Sequence, residues 1–226
     1  MTPGRAWQQA EGTSGSWALG ATPLPALRAQ ASFSRCGSYR WWLSRRWRDG
    51  APTLLFLGLN PSNADGRRDD PTLRRLIGFA DGWGYGSVEV LNLFSGISAD
   101  PVALRQMAEP VGRRTDAWIR SRVRQLARQA TSDEAAACPI PGAALPLWLG
   151  WGNGGGWRGR DQQMLELLGR LPVRLFCLGL TACGQPRHPL YVQGGSRLQP
   201  FGASWELASA PIAAPCPASR AATRFT

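Results

Sequence analysis

The run Leu54–Leu59 reads LLFLGL and carries no polar side chain on either alternation of an extended chain. Such a strand needs apolar cover on both faces, the situation of a parallel sheet clothed by helices. Gly58 permits a turn or a ligand's close approach, and Pro61 stiffens the exit. Three further runs are mainly apolar, with Gly or Asn near the end in the same way. Val88–Leu93 (VEVLNL) ends near Asn92, and Leu145–Gly152 (LPLWLGWG) is followed by Asn153 and three glycines. Arg174–Leu180 (RLFCLGL) leads into Thr181 and then Gln185-Pro186-Arg187-His188.

Helical patterns separate the runs. Asp70 is placed to cap and Pro71 to occupy the first turn of a helix marked by Leu73, Leu76, Ile77 and Ala80. Asp100-Pro101 repeats that start; Ile119, Val123 and Leu126 mark an Arg-rich helix, and Met164, Leu165, Leu168 and Leu171 another. The expected fold is therefore α/β, a three-layer sandwich around a central, mainly parallel four-stranded sheet. A single domain is expected over residues 33–204. Gly-, Ala-, Ser- and Pro-rich stretches at 1–32 and 205–226 read as flexible extensions.

In open α/β sheets, ligands collect outside the carboxyl ends of the strands. The strand-end residues Asn60, Asn92, Asn153 and His188 are thus expected to share one site. His188 is the single histidine, held between Pro186 and Pro189, and can donate to an oxygen gaining negative charge or take a proton near neutral pH. Asn92 offers donors and an acceptor to a base edge; equally, it can tie two loops together. Asn153 with Gly154–Gly156 reads as a backbone phosphate cradle or as a flexible turn. Asp65, Asp69 and Asp70 read as turn and cap residues neutralised by Arg67 and Arg68, with a metal site as the alternative. Tyr39–Arg48 (YRWWLSRRWR) is either a base-stacking, phosphate-holding stretch or an edge strand whose arginines face water. Arg113, Arg114, Arg120, Arg122, Arg124 and Arg128 read as a solvated helix face that doubles as a phosphate patch.

The 226 residues carry a net charge of +11, and all 26 basic residues are arginine. A GC-rich genome explains the absence of lysine but not the excess of positive charge, which points to a polyanionic partner. Five cysteines without a CxxC pair argue against a disulfide scaffold, a zinc ribbon and an iron–sulfur cluster. Neither a metal nor a cofactor is expected. Met1–Gln30 lacks the apolar core of a secretory signal, and no apolar run reaches membrane-spanning length. A cytoplasmic monomer with no membrane partner is the expectation. Its partner would be nucleic acid, DNA before RNA, or a nucleotide.

Several separated motifs resemble the uncharacterised family known as domain of unknown function 1643. They are YRWWLSRRW, LLFLGLNPSNAD, DDPTLRRLIGFADGWGYG, VEVLNLFS, EPVGRRTD and LGLTACGQPRHPLY, between about Ser38 and Tyr191. Glu109 departs from the Asp expected before Pro110. That family brings no established activity.

More distantly, the order of motifs is similar to that of the uracil-DNA glycosylase superfamily. GLNP offers Asn60 where that superfamily positions water, and Pro71-Thr72-Leu73 stands at its PSL-like helix start. LNLF offers Asn92 for reading the base, LGWGN matches the third strand, and His188-Pro189-Leu190 stands at the HPS-type loop. Leu190 replaces the serine of that loop, and Arg68, Asp69 and Asp70 stand where a base-stacking aromatic would be. The resemblance implies Asn60 and His188 as catalytic residues, with Asn92, Pro61, Ser62 and Asn153 around the base. It also implies Arg67, Arg68, Arg187, Leu190 and Tyr191 as nucleic-acid contacts, Leu190 or Tyr191 serving as a wedge. Three functions are open from the residues: hydrolysis of an N-glycosidic bond, non-catalytic binding of nucleic acid or nucleotide, and a metal-dependent phosphodiester reaction at Asp65, Asp69 and Asp70.

Overall fold

The computed structural model describes residues 28–62, 64, 68–129 and 145–202. Seven strands form one sheet in the order β1-β2-β4-β3-β5-β6-β7. They are β1 (Arg28–Phe33), β2 (Arg40–Arg46), β3 (Thr53–Gly58), β4 (Ser87–Asn92), β5 (Leu145–Leu149), β6 (Val173–Cys177) and β7 (Gln199–Pro200). The four apolar runs supply β3, β4, β5 and β6, which are mutually parallel. β1, β2 and β7 extend this core antiparallel at its edges. The sheet is thus seven-stranded rather than four-stranded, and β1 starts ahead of the boundary expected at residue 33.

Four α-helices are described, α1 (Pro71–Gly82), α2 (Pro101–Gln106), α3 (Thr115–Gln129) and α4 (Arg160–Leu168), with two 3₁₀ segments, Gly152–Gly159 and Pro189–Tyr191. Alternate side chains of β3 face different helices, as period-2 geometry demands. Leu54 and Phe56 pack with Leu73, Leu76 and Ile77 of α1. Leu55 and Leu57 pack with Ile119 and Val123 of α3 and Met164 of α4. Helices therefore cover both faces. From β3 the chain passes over α1 to β4, then back across β3, by way of α3, to β5. One crossover hand places these two connections on opposite faces. It also creates a point between β3 and β5 where the direction of winding reverses, the place where such sheets bind ligands.

β2 corrects the water-facing reading for two of its arginines. Arg40 and Arg45 are buried, and so is Trp41, whose ring stacks on Tyr39 with centroids 5.4 Å apart. The strand lies between β1 and β4, so neither of its edges is free. Arg45 is compensated by Asp69 at 2.8 Å and by the carbonyls of Ser44 and Arg68. Asp69 is therefore neutralised by Arg45 rather than by its chain neighbour Arg68; Arg67 and Asp65 lie outside the described residues.

Candidate functional site

A cleft of about 660 Å³ lies at the carboxyl ends of β3, β4 and β5, on the α1 face of the sheet. Leu43, Phe56, Leu73, Leu76 and Val90 give it apolar walls. Asn60, Asn92, Asn153 and His188 all line it, so the four expected strand-end residues converge. The structure adds Arg40 and Asp70 to the lining.

Asn92 follows Val88 and Val90 on the same side of β4, the side that packs on α1. Its side chain is 4% exposed, and its Nδ2 has no hydrogen-bond partner among the described residues. Its parallel partner is Gly58. A Cβ on Gly58 would stand 3.1 Å from Asn92 Oδ1 and 2.9 Å from Phe56 Cε1, so only glycine leaves this part of the floor open. Asn60 follows β3 and uses its Nδ2 twice, toward Ser98 O at 2.7 Å and Pro61 O at 3.0 Å. Those bonds fix the amide and leave Oδ1 as an available acceptor.

His188 precedes a short 3₁₀ turn, Pro189–Tyr191, and its Nδ1 accepts from the Leu190 N–H at 3.3 Å. The neutral ring then carries its proton on Nε2, as a donor. Burial pushes its pKa below the ordinary histidine value, and the charge of Asp70 pulls in the opposite direction. Asp70 caps α1 through Leu73 N–H at 2.7 Å, and its other oxygen accepts from the Ser62 hydroxyl. One carboxylate thus anchors a helix, holds Ser62 and faces His188.

Other expected site residues are distributed around this centre. Asn153 and Arg187 line the cleft, and both are exposed. Asn153 Oδ1 accepts from the Thr181 hydroxyl at 2.6 Å, and Arg187 Nε donates to Leu180 O at 2.9 Å. Tyr191 stands out at 81% exposure beside Leu190 at 43%. Pro61 is buried and does not line the cleft; its carbonyl instead accepts from Ser98 N–H. Arg68 is exposed and also lies outside the lining, because its segment runs along Arg45.

The glycines after β5 form a 3₁₀ segment, Gly152–Gly159. They serve packing, since a Cβ at Gly154 would meet Leu59 at 2.7 Å and one at Gly155 would meet Trp151 at 2.1 Å. On α3, Arg122 turns inward to Glu89 and lies over Trp42, while Arg120, Arg124 and Arg128, like Arg113 and Arg114 just before the helix, are exposed. Asp69 and Asp70 have the partners given above. Among the described residues no three His, Cys, Asp or Glu side chains are grouped to hold a metal ion. Nor, among them, is any helix long and apolar enough to cross a membrane.

Arg40 is the cleft residue that local sequence reading misses. The β1–β2 register jumps from Ser32↔Trp42 to Phe33↔Arg40, leaving Trp41 as an extra residue. Irregularities of this kind re-aim side chains near sites. Here Arg40, 4% exposed, lines the same cleft as Leu43 and donates to Ala64 O.

Fold and site together define a doubly wound α/β protein with a polar-floored cleft at its switch point. The chain belongs to the family described as Protein of unknown function (DUF1643), whose model matches residues 40–190. That span contains Arg40, Asn60, Asn92 and His188. No curated protein and no solved structure matches the chain.

Proposed function

We propose that the cleft receives a nucleobase and that the protein hydrolyses the N-glycosidic bond joining it to a sugar, in DNA or in a modified nucleotide. The observation that carries this reading is Asn92, a buried amide with an unpaired donor at the floor of an apolar-walled cleft. A flat ring with polar edge groups suits such walls, and an edge acceptor would satisfy Nδ2. The roles follow the motif order of the uracil-DNA glycosylase superfamily, which the chain resembles.

Asn60 Oδ1 accepts a hydrogen bond from water and orients it; an amide does not remove the proton. The water oxygen bonds to the sugar's anomeric carbon while the carbon–nitrogen bond breaks, its electron pair leaving on the base. The proton lost by the water passes to solvent. Neutral His188 donates its Nε2–H to the charge developing on the base. Weak activation of water suits a slow enzyme or a labile modified base. The commitments of Asp69 to Arg45 and of Asp70 to α1 favour this reading over metal-dependent phosphodiester chemistry.

Calorimetric titration with uridine, inosine and alkylated adenosine tests recognition. At least one should bind the native protein and lose tenfold or more in affinity with Asn92→Leu. Equal binding by the variant, or no binding of any nucleoside or of an oligonucleotide bearing the same base, would overturn the reading.

A further inference from the structure

The segment that carries His188 is fastened to the body of the domain through Gln185. Gln185 Oε1 accepts from the Trp151 indole N–H at 2.6 Å, and its Nε2 donates to Asp161 Oδ2 at 2.6 Å. Its backbone N–H donates to Thr181 Oγ1 at 3.2 Å, and that hydroxyl donates to Asn153 Oδ1. A parallel backbone bond joins Gly152 N–H to Pro186 O at 2.8 Å. Asp161 sits in the first turn of α4 and is buried, as is Trp151 just beyond β5. The reaction described above uses neither.

A buried carboxylate is costly unless its oxygens are hydrogen-bonded. Asp161 has two such bonds, from Gln185 Nε2 and from Gln162 N–H at 2.8 Å, and the helix start favours its charge. The chemistry of the partners fixes the orientation of Gln185. A carboxylate only accepts and an indole only donates, so the amide has a single way round. The same logic runs on to the cleft. Thr181 has one hydroxyl proton, which goes to Asn153 Oδ1, so Asn153 is left to present Nδ2 as a donor.

We infer that Asp161 and Gln185 are positioning residues that hold the His188 loop and the Asn153 amide in their cleft-facing geometry. The inference rests on the role given to His188, but its test does not need turnover. His188 is the only histidine, so protein labelled at histidine Cε1 gives one imidazole resonance to follow with pH. Asp70 and Tyr191, the titratable groups facing it, stay unchanged in every variant.

Gln185→Leu should move the His188 midpoint upward, toward the ordinary 6.5, as the loosened ring becomes hydrated. Asp161→Asn keeps an acceptor for Gln185 Nε2 and should retain the native midpoint. A lower melting temperature for Gln185→Leu with an unmoved midpoint would overturn the inference, leaving these residues as scaffold. Should Gln185→Leu fail to fold, Gln185→Asn, too short to bridge both partners, is read in the same way. Loss of positioning with no base release in any protein would indict the proposed reaction alone.

Discussion

On the proposed reading, Asn92 makes recognition and stability pull in opposite directions. An unpaired buried donor lowers stability by roughly 1–3 kcal/mol, while an apolar group of similar shape does not. Asn92→Leu should therefore raise the melting temperature slightly and abolish nucleobase binding. A residue kept for the fold alone would show the reverse. His188 adds a pH signature. Its folded-state pKa lies below the ordinary value because it is half-buried, so the unfolded chain takes up the proton first as the pH falls. The stability contributed by neutral His188 is present above about 6.5 and lost as pH drops through the lower folded-state value. Melting curves of the native protein and His188→Gln should accordingly converge on acidification. In catalysis, Asn60→Ala and His188→Ala should each lower single-turnover base release, by on the order of a hundredfold for the lost His188 donor. Substrate affinity should be nearly unchanged, because the proposed reaction has both groups act mainly in the transition state.

At the scale of elements, Asp70 joins α1 to the site, and two substitutions separate its duties. Asp70→Ala removes the cap and should cost about 1 kcal/mol. Asp70→Asn keeps a capping oxygen but removes the charge, so His188 should titrate still lower while the melting temperature is nearly retained. The parallel strands β3, β4, β5 and β6 were legible because long apolar runs ending in Gly or Asn permit few alternatives. β1 was not: RAQASF is largely exposed, and two of its three apolar positions are alanine, too small to signal a buried face. β2 was misread because a buried Arg45 needs Asp69, a partner that no local pattern reveals. Asn60 and Asn92 could be found at the ends of buried strands, and His188 in the loop that follows one. Arg40 could not, since its place in the cleft depends on a register irregularity opposite Ser32 and Phe33.

For the whole molecule, a charge of +11 and the exposed arginines of α3 favour a polymeric substrate over a free nucleotide. Binding to a short oligonucleotide should weaken with salt, on the order of a thousandfold between low and moderate salt if about six phosphates are contacted. Affinity that ignores salt would instead point to a nucleotide held within the cleft. The central claim, that the cleft releases a base, is open to direct measurement. Oligonucleotides each carrying one uracil, hypoxanthine or alkylated adenine are incubated with the protein and weighed by mass spectrometry. The account predicts that one of them loses the mass of its base and gains water, with the backbone intact, and that Asn60→Ala and His188→Ala suppress the loss. Intact masses throughout, from a protein that binds the same oligonucleotides, would contradict hydrolysis and leave a recognition module. Backbone cleavage without base loss would contradict the assignment of the site itself.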